Sequence, residues 1–408
     1  MLLIKKFILM KRKKNTRLVH EGINRSLFSE TSEPIFMTSG FVYKNAKEAE
    51  DAFQDKKKRF IYSRYGNPTV NVFEERLASI EGAEKCWATS SGMSALFTIL
   101  MSYLKKGDRV VAARALFGSC HYILTNILPN FGIEVVLIDG QDLNLWEKAL
   151  KKKTKLVFFE TPSNPCLEII DIKKVSEISH RSGALVVVDN VFATPILQKP
   201  IEIGADVVMY SATKHIDGHG RVVGGAILSN NKFCEKYIKP FIRNTGPSLS
   251  PFNAWVLLKG LETLDLRMSY QVNSTKEIIN YLTEQEFVSN IFYPFNKKNK
   301  SYNLAKSQML AGGTILSFTI NCKSSLHKKK AFDLLDNLKL IKISNNLGDN
   351  KSLITHPYTT THHRLNEKEK RSLRITKNLI RLSVGLEDTS DLIKDIDNSF
   401  KRVFRGKK

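Results

Sequence analysis

Cysteine is scarce in this chain: Cys86, Cys120, Cys166, Cys234 and Cys322 are five, an odd number, far apart and without a C-x-x-C spacing. That excludes a disulfide framework and a zinc ribbon, and it points to a reducing compartment. Long apolar runs are missing too, and no window approaches the roughly 20 residues of a membrane span. A cytoplasmic protein without a membrane partner is therefore expected. Met1 to Met10 mixes Lys5 and Lys6 into its apolar stretch, which the uninterrupted core of a signal peptide does not allow. It reads as a disordered extension ahead of a start at Met10. Acidic residues are also in deficit, 40 against 63 Lys+Arg, for a formal charge of +23. Such a balance invites a nucleic-acid-binding reading, but twelve of those charges lie in residues 1–20 and 401–408, which contain no acid, and removing them leaves +11. The remainder is spread in short solvated runs such as Lys56 to Arg59, so a basic nucleic-acid-binding protein is the weaker alternative.

What is present suits a large folded enzyme. The 408 residues are 42% hydrophobic, and single cores stop growing at roughly 250–300 residues, so two packed domains are expected. Between residues 84 and 228, apolar runs at 108–112, 133–138, 155–159, 184–189 and 206–210 alternate with helical stretches. Their near-continuous hydrophobicity suits strands covered on both faces. Met93, Leu96, Phe97, Leu100 and Leu104 repeat at one helical face. A mainly parallel sheet with helices on both sides follows. After Pro251 the pattern predicts a long helical stretch to about residue 284, short strands near 315–320 and 379–384, and a last helix carrying Leu392, Ile393, Ile396 and Phe400. The division expected is an extension and arm at 1–60, a large domain at 61–255 and a smaller α+β domain at 256–408.

Ligands of such sheets bind outside the carboxyl ends of the strands, and three strand ends carry chemistry. The run ending at Val188 delivers Asp189, a carboxylate that burial penalises unless it is paired. A lone aspartate there is most often an N-cap or a core ion pair. The run ending near Tyr210 delivers Ser211-Ala-Thr-Lys214, followed by a glycine-rich stretch. A desolvated lysine can act as an imine-forming nucleophile and general base, although most lysines are plain surface residues. Ser90-Ser91-Gly92-Met93-Ser94 opens a helix and presents free N–H groups to an anion, or merely caps that helix. Together these residues suit an aldehyde-bearing aromatic phosphate, pyridoxal 5′-phosphate (PLP). Lys214 would bond to the aldehyde, Asp189 would keep the pyridine nitrogen protonated, and Ser211, Thr213 and the helix start would hold the phosphate. Competing motifs fail. The S-x-x-K at Ser211 lacks a following K-[ST]-G, His215 and His219 lack the glutamate of H-E-x-x-H, and no strand is followed by G-x-G-x-x-G. No metal is expected.

The segments Tyr62 to Thr69, Ser91-Gly-Met93, Glu160 to Pro165, Asp189-Asn190, Ser211 to Lys214 and Arg381 to Asp388 resemble the Cys/Met-metabolism family of PLP-dependent fold type I enzymes, from about Thr16 to the C-terminus. The resemblance implies a large, mostly parallel seven-stranded sheet domain with a smaller C-terminal α+β domain. It implies PLP covalently held at Lys214, with Asp189 on the pyridine nitrogen and Asn164 near the phenolic oxygen. Gly92, Met93, Ser211 and Thr213 bind the phosphate with Ser91, and Arg381 clamps the substrate carboxylate. It further implies that Tyr62 and Arg64 reach a neighbouring subunit's cofactor, making a homo-oligomer of active dimers, a tetramer, the usual assembly. Phe117 stands where many members stack a tyrosine, and Asn346 where many have serine. Both departures, with Thr355-His-Pro357 and Asp217 to Arg221, resemble the sulfhydrylase branch that joins O-succinyl-L-homoserine to sulfide, giving L-homocysteine and succinate for methionine biosynthesis. Tyr62 or Lys214 would then handle the leaving group's proton. The alternatives within the family are cystathionine gamma-synthase and O-acetylhomoserine sulfhydrylase chemistry.

Overall fold

The computed structural model of the chain describes residues 12–405, and the expected extension at Met1 to Met10 lies outside them. Seven strands form the first sheet: β1 (Lys85–Thr89), β2 (Arg109–Ala113), β3 (Glu134–Ile138), β4 (Leu156–Glu160), β5 (Leu185–Asp189), β6 (Val207–Ser211) and β7 (Gly225–Ser229). Their order is β1-β7-β6-β5-β4-β2-β3. β7 runs antiparallel to both neighbours and the other pairings are parallel. β1 to β6 therefore all finish at one edge of the sheet. β2 to β6 begin and end within one residue of the predicted runs, and the expected α/β architecture is borne out.

Both faces are covered, which explains why these strands do not alternate in polarity. Val111, Val157, Val186 and Val208 face a cluster with Phe73 and Leu77 of helix Pro68–Glu81 and Leu257 of helix Pro251–Glu262. Val110, Phe158, Val187 and Val207 face the opposite cluster, with Leu96 and Leu100 of helix Gly92–Tyr103. Each such side chain contributes about 1.5–3 kcal/mol by burial, so the sheet is the stiffest platform the chain offers.

The second sheet has the order β10-β11-β12-β9-β8, from β8 (Val288–Phe292), β9 (Ile315–Ile320), β10 (Lys342–Ile343), β11 (Leu353–Thr355) and β12 (Leu379–Ser383). It is antiparallel except for the β10–β11 pair. Helices His327–Asn337 and Thr389–Phe400 cover it with Leu334, Leu335, Leu392 and Ile396. The predicted long helical stretch is two helices, Pro251–Glu262 and Leu264–Thr283, because Thr263 leaves helical geometry at φ −108°, ψ 5°.

Part of the arm packs on its own chain. Leu18 enters the first core, and buried Glu33 accepts from Arg76 and from Lys259, each at 2.5 Å. The rest leaves Leu27, Phe28, Met37 and Val42 exposed. Among the described residues no helix is long and apolar enough to cross a membrane.

Candidate functional site

The common edge of β1 to β6 gathers the residues singled out in the sequence. Ser91 caps helix Gly92–Tyr103 by accepting from the Ser94 N–H at 3.0 Å. Gly92 then passes so close to the end of β6 that a Cβ there would lie 2.6 Å from Ser211 Cβ. Only a glycine lets the helix start sit against that strand, so free N–H groups and the Ser211 hydroxyl border one small cradle. Thr213 is partly engaged: its hydroxyl donates to the Gly224 carbonyl at 3.2 Å and accepts from the Gly224 N–H at 3.1 Å.

Lys214 follows in the turn after β6. Its Nζ donates to Asn346 Oδ1 at 2.6 Å, 132 residues further along the chain. Burial, helped by the Arg381 charge, brings its pKa down from 10.5 to about 8. A substantial fraction of the amine is then neutral near physiological pH, the form a nucleophile or base requires. Asp189 ends β5 in a buried position where its one donor among the described residues is the Val191 N–H at 3.0 Å. Burial pushes it up to about 7. A buried carboxylate with so little support fits a protonated ring nitrogen as its missing partner.

Arg381 lies in the middle of β12, opposite Thr355 of β11 and Ser317 of β9. It is 1% exposed. Nη1 donates to Asn164 Oδ1 at 3.0 Å, and Nη2 to the carbonyls of Asn345 and Asn346 at 2.9 and 3.2 Å. Its Nε has no partner, and no acid lies within ion-pair distance among the described residues. Burial lowers its pKa to about 10, with Glu160 opposing. A buried guanidinium short of one acceptor is built for an incoming carboxylate.

Glu160 escaped the reading of the sequence, although its segment was noticed. It ends β4, pairs in register with Asp189 and accepts the backbone N–H groups of Phe117 and Asn164, each at 2.8 Å. Burial and neighbouring Asp189 both push its pKa up. A carboxylate at a strand end next to another was the available signal. Phe117 itself is 38% exposed at the mouth.

Thus Ser91, Gly92, Met93, Phe117, Asn164, Asp189, Ser211, Thr213 and Lys214 gather at one edge, and Asn346 and Arg381 meet them from the second sheet. Tyr62 and Arg64 have other neighbours. Arg64 lies over the Tyr62 and Tyr65 rings at 5.4 and 4.9 Å and lines a basic cavity of about 760 Å³ with Lys57, Arg59, Lys239 and Arg243. No hydrogen bond links either residue to Lys214 or Asp189 among the described residues. The amine, the carboxylate, the anion cradle and the guanidinium together fit PLP and an amino-acid substrate.

Known proteins resemble this chain along most of its length. The family model described as Cys/Met metabolism PLP-dependent enzyme matches residues 15–401. O-succinylhomoserine sulfhydrylase of Mycobacterium tuberculosis (strain ATCC 25618 / H37Rv) is 51% identical, covering 93% of this chain and 94% of that protein. O-succinylhomoserine sulfhydrylase of Pseudomonas aeruginosa is 41% identical, covering 94% of each. A solved structure from Campylobacter jejuni, named as an O-acetylhomoserine (thiol)-lyase and carrying N′-pyridoxyl-lysine-5′-monophosphate, superposes with a TM-score of 0.90 at 32% identity. The match covers 96% of this chain and 100% of that one.

Proposed function

The chain belongs to the Cys/Met-metabolism PLP-dependent enzymes, and we propose that it catalyses γ-replacement on O-succinyl-L-homoserine by hydrogen sulfide, releasing L-homocysteine and succinate. The observation that carries the amino-acid chemistry is the chain of contacts from Lys214 through Asn346 to the buried, acid-free guanidinium of Arg381. The acyl group and the sulfur donor rest on the relatives at 51% and 41% identity, both named for O-succinylhomoserine.

When bound, PLP supplies an aldehyde for an amine and a ring that withdraws electrons from Cα. The chain's own residues do the rest. Arg381 holds the substrate carboxylate, so that the Cα–H faces Lys214. The neutral amine of Lys214 takes the Cα proton and then a Cβ proton. Asp189 would keep a proton on the ring nitrogen, Asn164 would border the phenolic oxygen, and Phe117 would cover a ring face. Ser211, Thr213, Gly92 and Met93 hold the phosphate on the helix that Ser91 caps. Asn346 orients Lys214 and lines the substrate side. Across the reaction the Cγ–O bond is exchanged for a Cγ–S bond: succinate leaves, HS⁻ then enters, and protons return to Cβ and Cα so that the product carries the hydrogens the substrate had. Succinate departs as a carboxylate of conjugate-acid pKa near 4–5, so its departure makes little demand on a phenol at position 117.

Tyr62 and Arg64 serve the site of a second copy, with Tyr62 available for proton transfer there, in a dimer of active dimers. The exposed Leu27, Phe28 and Val42 of the arm support that assembly. The division at 1–60, 61–255 and 256–408 is part of the same reading, its second boundary falling inside helix Pro251–Glu262.

The test crosses O-succinyl- and O-acetyl-homoserine with sulfide and cysteine, alongside Lys214→Ala. Homocysteine should form fastest from the succinyl ester and sulfide, and the variant should lose both the visible cofactor band and its borohydride-fixed label. Activity confined to the acetyl ester or to cysteine would move the assignment, and covalent cofactor in the variant would remove it.

A further inference from the structure

Glu160 has no task in the reaction above, yet its contacts are arranged unlike those of an ordinary buried acid. It is 3% exposed and makes no ion pair within 4 Å among the described residues. Its two oxygens are divided between two different turns. Oε2 accepts from the N–H of Phe117, in the turn that follows β2, and Oε1 accepts from the N–H of Asn164, in the turn that follows β4. Asn164 then passes the connection on, because its Oδ1 receives Arg381 Nη1. The second sheet seats the same turn from below, Ser317 Oγ donating to the Pro165 carbonyl at 2.7 Å.

The chemical type matters as much as the position. A carboxylate here lies beside Asp189 on the neighbouring strand, and two buried acids side by side repel each other. A neutral acceptor would avoid that penalty, but glutamine offers one acceptor oxygen and an NH2 group, so it cannot receive two N–H groups on opposite sides. The retained repulsion therefore marks a geometric requirement for two acceptor oxygens at fixed separation.

Resting on the function proposed above, we infer that Glu160 is a positioning residue. Its two oxygens hold the Phe117 and Asn164 backbones in a fixed relation, and so align the ring that covers the cofactor with the guanidinium that receives the substrate carboxylate.

The test is Glu160→Gln, nearly isosteric, in which one of the two amides must face an NH2 group. Loss of one charge-assisted hydrogen bond corresponds to roughly a ten- to hundred-fold change, expected as a rise in KM for the homoserine ester that exceeds the fall in kcat. The visible circular dichroism of the bound cofactor should weaken at unchanged absorbance. In cofactor-free protein, amide exchange should quicken in peptides containing Phe117 and Asn164. Glu168→Gln is the control: this acid in the same turn pairs with Arg374 at 3.1 Å, and its loss should lower Tm while leaving KM and the dichroism unchanged. If Glu160→Gln behaves as that control does, the inference is overturned. Should it not accumulate, Glu160→Asp, too short to reach both amides, is expected to give the same signature, and wild-type KM and dichroism in it would equally overturn the inference. Were the wild type inactive on homoserine esters, the functional reading alone would fail, and the dichroism and exchange measurements would still decide the role of Glu160.

Discussion

Gly92→Ala separates two effects of opposite sign at the cradle between helix Gly92–Tyr103 and β6. Replacing a helical glycine by alanine ordinarily stabilises by up to about 1 kcal/mol, through the unfolded chain's lost freedom. Here the added Cβ would lie 2.6 Å from Ser211 Cβ and 2.8 Å from Ser211 Cα, where carbon contacts relax at about 3.5–4.0 Å. A shift of about 1 Å is needed. Ser211 cannot retreat, because it is paired with Gly225 of β7, and a Cβ on Gly225 would itself lie 2.2 Å from the Ser91 carbonyl oxygen. The helix start must therefore move outward. Overpacking of this kind costs about 1–3 kcal/mol, which outweighs the propensity gain.

The consequence for the cofactor is larger than that for the fold. A phosphate held, as proposed, by the helix N–H groups and the Ser211 hydroxyl would not keep both when they part by about 1 Å, and one charge-assisted bond is worth roughly 1.5–3 kcal/mol. PLP affinity of the apo-protein should fall about 10- to 150-fold, measured by equilibrium titration. The apo-protein should lose only a few degrees of Tm. Gly40→Ala, where nothing lies within 4 Å of the added atom, should leave both unchanged. An alanine variant at 92 that binds PLP as tightly as wild type would refute the placement of the phosphate.

Two further perturbations test the buried polar groups. Glu81 is buried, accepts the Tyr210 hydroxyl and has its pKa raised by burial to about 8; a group that binds its proton more tightly when folded loses its stabilisation as pH rises from about 4.5 through 8. Glu81→Gln, which keeps the acceptor, should therefore leave Tm near wild type at pH 5 and exceed it at pH 8, and an unchanged difference across that window would contradict the assignment. Arg381→Lys replaces a fork that spans Asn164 and the Asn345 and Asn346 carbonyls with a point charge. It should lower kcat/KM for the ester about 10- to 150-fold, and an unchanged KM would remove Arg381 from substrate binding.

The parts of this molecule that could be read along the chain are those whose cause is local. β2 to β6 are continuous apolar runs because helices bury both faces, and each lies within one residue of its expectation. β7 was hidden because it begins at Gly225, in a glycine-rich stretch that reads as a loop. That glycine is required by the Ser91 carbonyl on a different segment. β10 and β11 have two and three residues, too few for any period to show. The break at Thr263 went unseen because no proline marks it and the nearby Gly260 lies inside the preceding helix.

The site divides along the same line. Asp189, Ser211 and Lys214 could be placed at one edge from the sequence because a parallel sheet fixes which end of each strand meets a ligand. Glu160 occupies an equivalent position, yet its type alone makes it a second Asp189. Its distinct task appears only in the two amides it receives, from residues 43 positions before it and 4 after. Arg381 lies 217 residues from Asn164, and nothing local distinguishes a buried guanidinium that lacks an acid from one that has found its partner. The electrostatics follow from that separation. The amine of Lys214 is depressed partly by Arg381, and Arg381 is in turn held up by Glu160, so neither value belongs to one sheet. Removing the Arg381 charge should raise the Lys214 amine towards its ordinary value, because part of what depresses an amine on the first sheet is a guanidinium on the second.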